Sequence, residues 1–347
     1  MMHSTGSGPT DRILSDLAWQ RSIHAGEVLQ GVRIVGGNLA RTDFRGADLR
    51  EACFSKVDCR GAVFTGAQLG RAQFTQCLLS RSVWQSCGLE EAQFVECDLA
   101  DSDFRGSRMP LSLLSLSDMK GAILAACDLE GATIEGVDLT GASFARAKLT
   151  RTAVSGSRLC GAILLEAEIC DASLPHLDLS KSTAAGISVV RTDLQGVNLR
   201  LADLSHGRFE DSNLSMSSFE RGSLADARFR NVCAEDANFE FCDLRQASLD
   251  ASRFSRSNLV GAALDGARGT GCFFDSADFY WAELDGFTHF DCNFEGVRWP
   301  DNEKIAHHAR GVIPPRVTPV PLYRKAVTDE ECKKLLEVYF GVANNKA

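Results

Sequence analysis

The chain has no run of about 18 apolar residues, the length a membrane-spanning helix needs. No membrane span is therefore expected. It has thirteen cysteines, an odd number, and no two of them are spaced CxxC. That excludes a CxxC-based zinc or thioredoxin-like site, and a chain this long does not need disulfide staples. Free thiols in a reducing compartment are expected. Positive charge is also short: 37 Lys and Arg against 46 Asp and Glu leave a net charge of −9. A general nucleic-acid binder needs a basic face, so direct nucleic-acid binding is not expected. The opening "MMHSTGSGPTDR" lacks the basic start and apolar core of a secretory signal. A cytoplasmic protein is the expectation, with signal-independent secretion left open. Finally, there is no phosphate-binding Walker loop, no nucleophile elbow and no HExxH pair. Neither an enzyme nor a cofactor or metal site is expected.

What the chain does have is a period. In "RTDFRGADLREACF", residues 41–54, Phe44, Leu49 and Phe54 are five apart, and Ala47 and Ala52 stand two places before the latter two. A step of five suits neither common element. On a helix it turns about 500°, and on a strand it flips the side chain to the other face. Yet the register holds from Ile34 to Trp299 without an insertion. Of its 54 central positions, 49 are Leu, Phe, Ile, Met, Val or Trp; the exceptions are Cys59, Ala184, Ala234, Gly269 and His289. Two places earlier, 51 of 54 residues are Ala, Ser, Cys, Gly, Thr or Val, with only Leu177, Ile187 and Phe287 larger.

Segments such as "GADLR" (46–50), "CDLEG" (127–131) and "GVNLR" (196–200) resemble the A-(D/N)-L-x-x motif of the pentapeptide-repeat family. The resemblance covers about three quarters of the chain. It implies an all-β solenoid, a right-handed quadrilateral β-helix of about 13 coils with four pentapeptides per coil. At an inter-strand spacing of about 4.8 Å such a solenoid is roughly 65 Å long. An open end would expose unpaired backbone, so both ends need covering.

Residues 1–30 are read as a tail and short N-terminal cap, with Ile13, Leu14, Leu17 and Ile23 on an amphipathic stretch, and 31–299 as the β-helix. A proline-rich linker, 300–327, precedes a C-terminal helix and tail, 328–347. In the latter, Thr328 and Glu331 form a capping box and Gly341 a stop. Cys332, Leu335, Leu336 and Tyr339 share one face, with Phe340 beside them. That helix caps the solenoid, pairs with a second copy in a homodimer, or docks on a partner.

Chemistry is scarce inside the register. Cys77, Cys87, Cys97, Cys127, Cys242, Cys272 and Cys292 hold the small inward position, where cysteine packs like alanine. Cys77 lies one coil from Cys97 and Cys272 one coil from Cys292, and His289 points inward near Cys292, so a metal or redox role competes with packing. The recurrent Asp and Asn before the central residue read as turn formers, not paired catalytic carboxylates. Gly269 and Gly271 in "RGTGC" read as a coil lacking one central side chain.

Function is expected where the grammar fails. Phe241, Phe273, Tyr280, Trp281, Phe287 and Phe290 are aromatics off the central position, and all but Phe287 should point outward. Folding at twenty residues per coil puts Phe241 and Trp281 in one column and Tyr280 beside Val260. Phe241, Val260, Phe273, Tyr280, Trp281 and Phe290, with Leu335, Leu336, Tyr339 and Phe340 of the tail helix, are the candidate partner-binding residues. Charge also drifts: residues 30–110 are neutral, 111–229 carry −4 and 230–299 carry −6. The family resemblance implies a non-enzymatic bacterial scaffold with a protein partner. "LAWQRSIHAGEVLQGVRI" and "SVWQSCGLEEAQF" are similar to pentapeptide proteins associated with type VI secretion. The alternative is a DNA-mimicking, gyrase-binding protein of the quinolone-resistance type. Its difficulty is the charge, far below one per about 1.7 Å of duplex axis.

Overall fold

A step of five is a turn made once per repeat. Every residue whose number ends in 1 or 6, from Gly26 to Gly296, has positive φ, and 35 of them carry a side chain. At Phe44–Ala47 the N–H of Ala47 donates to the carbonyl of Phe44 at 3.0 Å, with Gly46 at φ 64° between them. Positive φ at the third residue of such a four-residue turn is the type II geometry. The turn redirects the chain, so central and small residues all face inward. Asp and Asn just before the central residue brace it: Asp43, Asp58 and Asn198 accept the N–H two residues on at 3.1 Å each.

The computed structural model describes residues 24–300. The predicted cap residues Ile13, Leu14, Leu17 and Ile23 and the helix 328–340 lie outside the described residues. Coil pairing is already in place at residue 24, where the His24 N–H donates to the Asp43 carbonyl at 2.7 Å.

Adjacent coils pair in parallel, always twenty residues apart. One seven-stranded sheet holds β1 (Arg33–Val35), β2 (Cys53–Ser55), β3 (Gln73–Thr75), β4 (Gln93–Val95), β5 (Leu113–Ser115), β6 (Thr133–Glu135) and β8 (Ala153–Ser155). An eight-stranded sheet holds β7 (Lys148–Thr150), β9 (Glu168–Cys170), β10 (Ser188–Val190), β11 (Arg208–Glu210), β12 (Arg228–Arg230), β13 (Ser248–Asp250), β14 (Arg268–Thr270) and β15 (Thr288–Phe290). The extended side thus moves back by one pentapeptide near residue 150.

That move has a hydrogen-bond consequence. The corner after each strand lacks the N–H to carbonyl bond that closes nearly all the others, leaving an inward N–H to be satisfied. Five of these donate instead to a side chain one coil on. Cys97 and Val137 donate to Ser117 and Ser157 Oγ at 3.0 and 3.1 Å in the first half. Past the switch, Thr192 and Val232 donate to Ser212 and Ser252 Oγ at 3.1 Å, and Cys272 to Cys292 Sγ at 3.3 Å. Ser112, Ser182 and Ser257 sit instead at closed corners, and their buried Oγ atoms have no partner.

The core is a column of inward side chains on a coil spacing near that of stacked rings. Phe44, Phe64, Trp84 and Phe104 stack in one file, Phe54, Phe74 and Phe94 in another, and the files meet edge-on. Phe254, Phe274 and Phe294 repeat the arrangement near the other end. Trp84 is fully buried because its Nε1 donates to Ser82 Oγ at 2.6 Å.

The two kinds of buried serine should part company on mutation. Ser252→Ala leaves the Val232 N–H unpaired and is expected to cost about 1–3 kcal/mol. Ser257→Ala removes an unpaired hydroxyl and should be neutral or stabilising. Urea unfolding of the two variants measures the difference.

Candidate protein-interaction surfaces

The outward residues form four sides, and the sequence-predicted aromatics divide among them. Phe241, Val260, Tyr280 and Trp281 share one corner of neighbouring coils, all half-buried. Tyr280 and Trp281 stack with centroids 4.5 Å apart, and the Arg298 guanidinium lies 3.9 Å over the Tyr280 ring while bonding Asp278 at 3.2 Å. Phe241 lies flat on the next coil. A Cβ added to Gly261, at φ 64°, would come within 2.5 Å of the Phe241 ring. Much of this aromatic surface is thus covered by its own chain.

Phe273 and Phe290 are not part of that corner. They lie on the two sides that carry the strands, 44% and 74% exposed, with Arg253 5.8 Å from the Phe273 ring. Phe287 points inward and is buried. Leu335, Leu336, Tyr339 and Phe340 lie outside the described residues.

A second surface carries no aromatic ring and the aromatic search missed it. On one side, three consecutive coils present Gly121, Ile123 and Ala125, then Gly141, Ser143 and Ala145, then Gly161, Ile163 and Leu165. The bridges Ile123↔Ser143↔Ile163 align these coils in register. No outward residue of this area is charged, in a chain whose composition is 24% charged. Ile163 and Leu165 stand 37% and 38% exposed. Its edge is a groove of about 920 Å³ along the corner, where Ala125, Ala126, Ala145 and Ala185 leave room. Arg146 and Glu166, paired at 2.8 Å, cross it. Missing charge at the outward third and fifth residues of the pentapeptides 121–125, 141–145 and 161–165 is the signal in the sequence.

In other coils many charges are paired where they stand. Asp43–Arg45, Asp48–Arg50, Asp58–Arg60, Asp103–Arg105 and Asp243–Arg245 each close at 2.6 Å. Corner residues pair one coil apart: Arg191 bonds Asp171 at 2.6 Å and holds its carboxyl down at about 2. At the C-terminal end of the apolar side, Asp265, Glu283 and Asp285 gather, with the Asp285 N–H on Asp265 Oδ1 at 3.0 Å. Burial first, and then Asp265, push the Glu283 carboxyl above its ordinary range.

His289 faces inward, half-buried, with its ring 4.8 Å from Phe294 and its Nε2 unpartnered; burial lowers its pKa. Among the described residues no three His, Cys, Asp or Glu are placed to hold a metal ion, and no helix is long and apolar enough to cross a membrane.

Two changes probe this end of the solenoid. Gly261→Ala adds strain at positive φ and displaces Phe241, at an expected cost of about 1–2 kcal/mol. Combining it with Phe241→Ala should recover the steric part, as a double-mutant cycle by urea unfolding would measure. For Glu283, a raised folded pKa means that stability falls as pH rises from the ordinary carboxylate range through the raised value. Glu283→Gln should therefore raise the melting temperature at pH 7, by no more than about 2 °C because the exposed part of the group is screened. The gain should vanish below about pH 4.

No curated protein matches the chain. Among solved structures it is similar to QnrB1, a plasmid-mediated fluoroquinolone resistance protein: 17% identity and TM-score 0.33 over 44% of this chain and 92% of that one. HetL, a pentapeptide repeat protein involved in heterocyst differentiation regulation in the cyanobacterium Nostoc, gives 22% identity and TM-score 0.24 over 63% and 91%. A pentapeptide repeat protein of the Arabidopsis thaliana thylakoid lumen gives 27% identity and TM-score 0.19 over 33% and 68%. None of these likenesses bears on partner or function. The model of the pentapeptide repeat region matches residues 37–113. That of pentapeptide repeats (8 copies) matches 127–164, 178–215, 223–259 and 252–288. With its coils matched from residue 37 to 288 apart from three short breaks, the chain belongs to the pentapeptide-repeat proteins, a non-catalytic family of solenoid scaffolds.

Proposed function

We propose that the chain is a scaffold that binds a protein partner through the uncharged area of three coils on one side, in a bacterial type VI secretion system. The carrying observation is the uncharged area spanning Gly121–Ala125, Gly141–Ala145 and Gly161–Leu165. A contiguous exposed apolar area bordered by polar residues is a contact-site signature. A pentapeptide solenoid holds such an area flat, because each coil repeats the one before. The aromatic corner of Phe241, Val260, Tyr280 and Trp281 is a second contact, smaller because Arg298 and Gly261 already take part of it. Phe273 and Phe290 belong to separate sides and serve this partner only if it wraps the solenoid. The secretion assignment rests on the likeness of "LAWQRSIHAGEVLQGVRI" and "SVWQSCGLEEAQF" to proteins associated with that system.

The second reading, a DNA-mimicking gyrase-binding protein, draws on Asp265, Glu283 and Asp285. Against it, Asp–x–Arg pairs and ion pairs between coils neutralise many carboxylates in place. A mimic of duplex DNA needs its negative charge unpaired and evenly spaced.

The test is capture of secretion-system components with the intact chain. Ile163→Asp combined with Leu165→Asp should reduce recovery at least about tenfold, the loss expected when charge is buried in an apolar contact. Both side chains point outward, so thermal unfolding should be unchanged. Equal recovery by the double variant removes the uncharged area from the proposal. Inhibition of gyrase supercoiling by the chain, lost on Asp265→Asn with Glu283→Gln, would favour the second reading instead.

A further inference from the structure

Cys272 and Cys292 occupy the same inward corner position of adjacent coils, at the C-terminal end of the described residues. Their register is tight: the Asn293 N–H donates to the Cys272 carbonyl at 2.8 Å, and the Phe274 N–H to the Asn293 carbonyl at 2.8 Å. Paired strands lie about 4.8 Å apart, inside the Cα separation of about 4.4–6.8 Å that a disulfide accepts. The Cys272 N–H also donates to Cys292 Sγ at 3.3 Å, so one sulfur already lies against the other residue's backbone.

Gly269, at a central inward position, makes room for the sulfurs to move. A Cβ placed on it would touch Cys272 Sγ at 3.4 Å and Cys292 Sγ at 3.6 Å, so a single void borders both. Cys292 is half-buried, whereas Cys272 is buried. The chain holds its own comparison in Cys77 and Cys97, stacked in the same way one coil apart. Both of these are buried, and the residues three places before them are Phe74 and Phe94, whose rings stack at 5.0 Å where the second pair has Gly269 and His289.

We propose that Cys272 and Cys292 form an oxidation-sensitive dithiol that a peroxide converts to a disulfide, fastening the last described coil to the one before it. The Cys292 thiolate attacks one peroxide oxygen. An S–O bond forms, the O–O bond breaks, and the departing hydroxide takes a proton to become water. Cys292 is then a sulfenic acid, oxidised by two electrons. The Cys272 sulfur gives up its proton and attacks the Cys292 sulfur, forming the S–S bond as the S–O bond breaks. The hydroxide released takes that proton. Two thiols and one hydrogen peroxide become one disulfide and two waters.

The acid–base character of the pair suits those roles. Hydrogen bonding with the Cys272 side chain, opposed by burial and helped by the Cys272 backbone, brings the Cys292 thiol down to about 7, while Asp291 works against it. Cys272 is pushed up by Cys292 and by burial, so it stays protonated until the second step. A thiolate near neutral pH is the species that reacts with peroxide.

The test is treatment of the full chain with hydrogen peroxide, alkylation of the remaining thiols after denaturation, proteolysis and mass spectrometry. The expected product joins the peptides carrying Cys272 and Cys292 with the loss of two hydrogens, is reversed by dithiothreitol, and leaves Cys77 and Cys97 alkylatable. Amides of 288–294 should then exchange at least about tenfold more slowly, since the link closes one coil. Cys272→Ser should leave Cys292 as a sulfenic acid that dimedone traps. Serine fits this position, because Ser252 fills it one coil earlier and accepts the Val232 N–H at 3.1 Å. Gly269→Ala should slow the crosslink by filling the void. The proposal is overturned if peroxide leaves both thiols free in the wild-type chain. It is equally overturned if Cys77 and Cys97 join as readily, or if Cys292 joins Cys332 instead.

Discussion

A backbone that turns every five residues leaves an inward N–H at every corner, and the fold depends on satisfying each one. At most corners the carbonyl three residues earlier accepts it, and a positive φ between them makes that bond possible. Where a side runs extended instead, the carbonyl moves away and the N–H needs another acceptor. At five such corners a serine or cysteine one coil on supplies it, which there ties the identity of a small buried residue to the hydrogen-bond state of its neighbour. Small residues at this position therefore do more than keep the coil narrow.

This constraint also explains where the thiols lie. Cys77 and Cys97 occupy the open corner of the first half, Cys272 and Cys292 the open corner after the extended side has moved. The pairs differ in their surroundings. Aromatic stacking seals the first, while Gly269 loosens the second next to the half-buried His289. The same local motif thus serves packing in one place and, in our proposal, redox chemistry in another.

The outer surface follows a different economy. Asp before the central residue braces the turn and meets an Arg two residues on, so much of the charge is spent locally. One side carries Asp43–Arg45, Asp103–Arg105 and Asp243–Arg245, and what distinguishes the coils between the last two is the absence of such pairs. The area from Gly121 to Leu165 is available for contact because its coils replace Asp and Arg with Ile, Ser, Ala and Leu.

The inward register, the small residues beside it and the twenty-residue coil were legible in the sequence, because one rule about burial repeats without interruption from Ile34 to Trp299. The outward direction of Phe241, Phe273, Tyr280, Trp281 and Phe290 was legible for the same reason. Three things were decided only by the tertiary structure. The extended side changes near residue 150, where Leu149 obeys the same pattern as its neighbours, so no residue type marks the change. Phe241 settles on Gly261 and Arg298 over Tyr280, contacts between coils that depend on how a long side chain leans. And the uncharged area of three coils emerges only when residues twenty apart lie next to one another. Periodicity determines which side chains are buried; hydrogen bonds and contacts between coils decide what the exposed ones do.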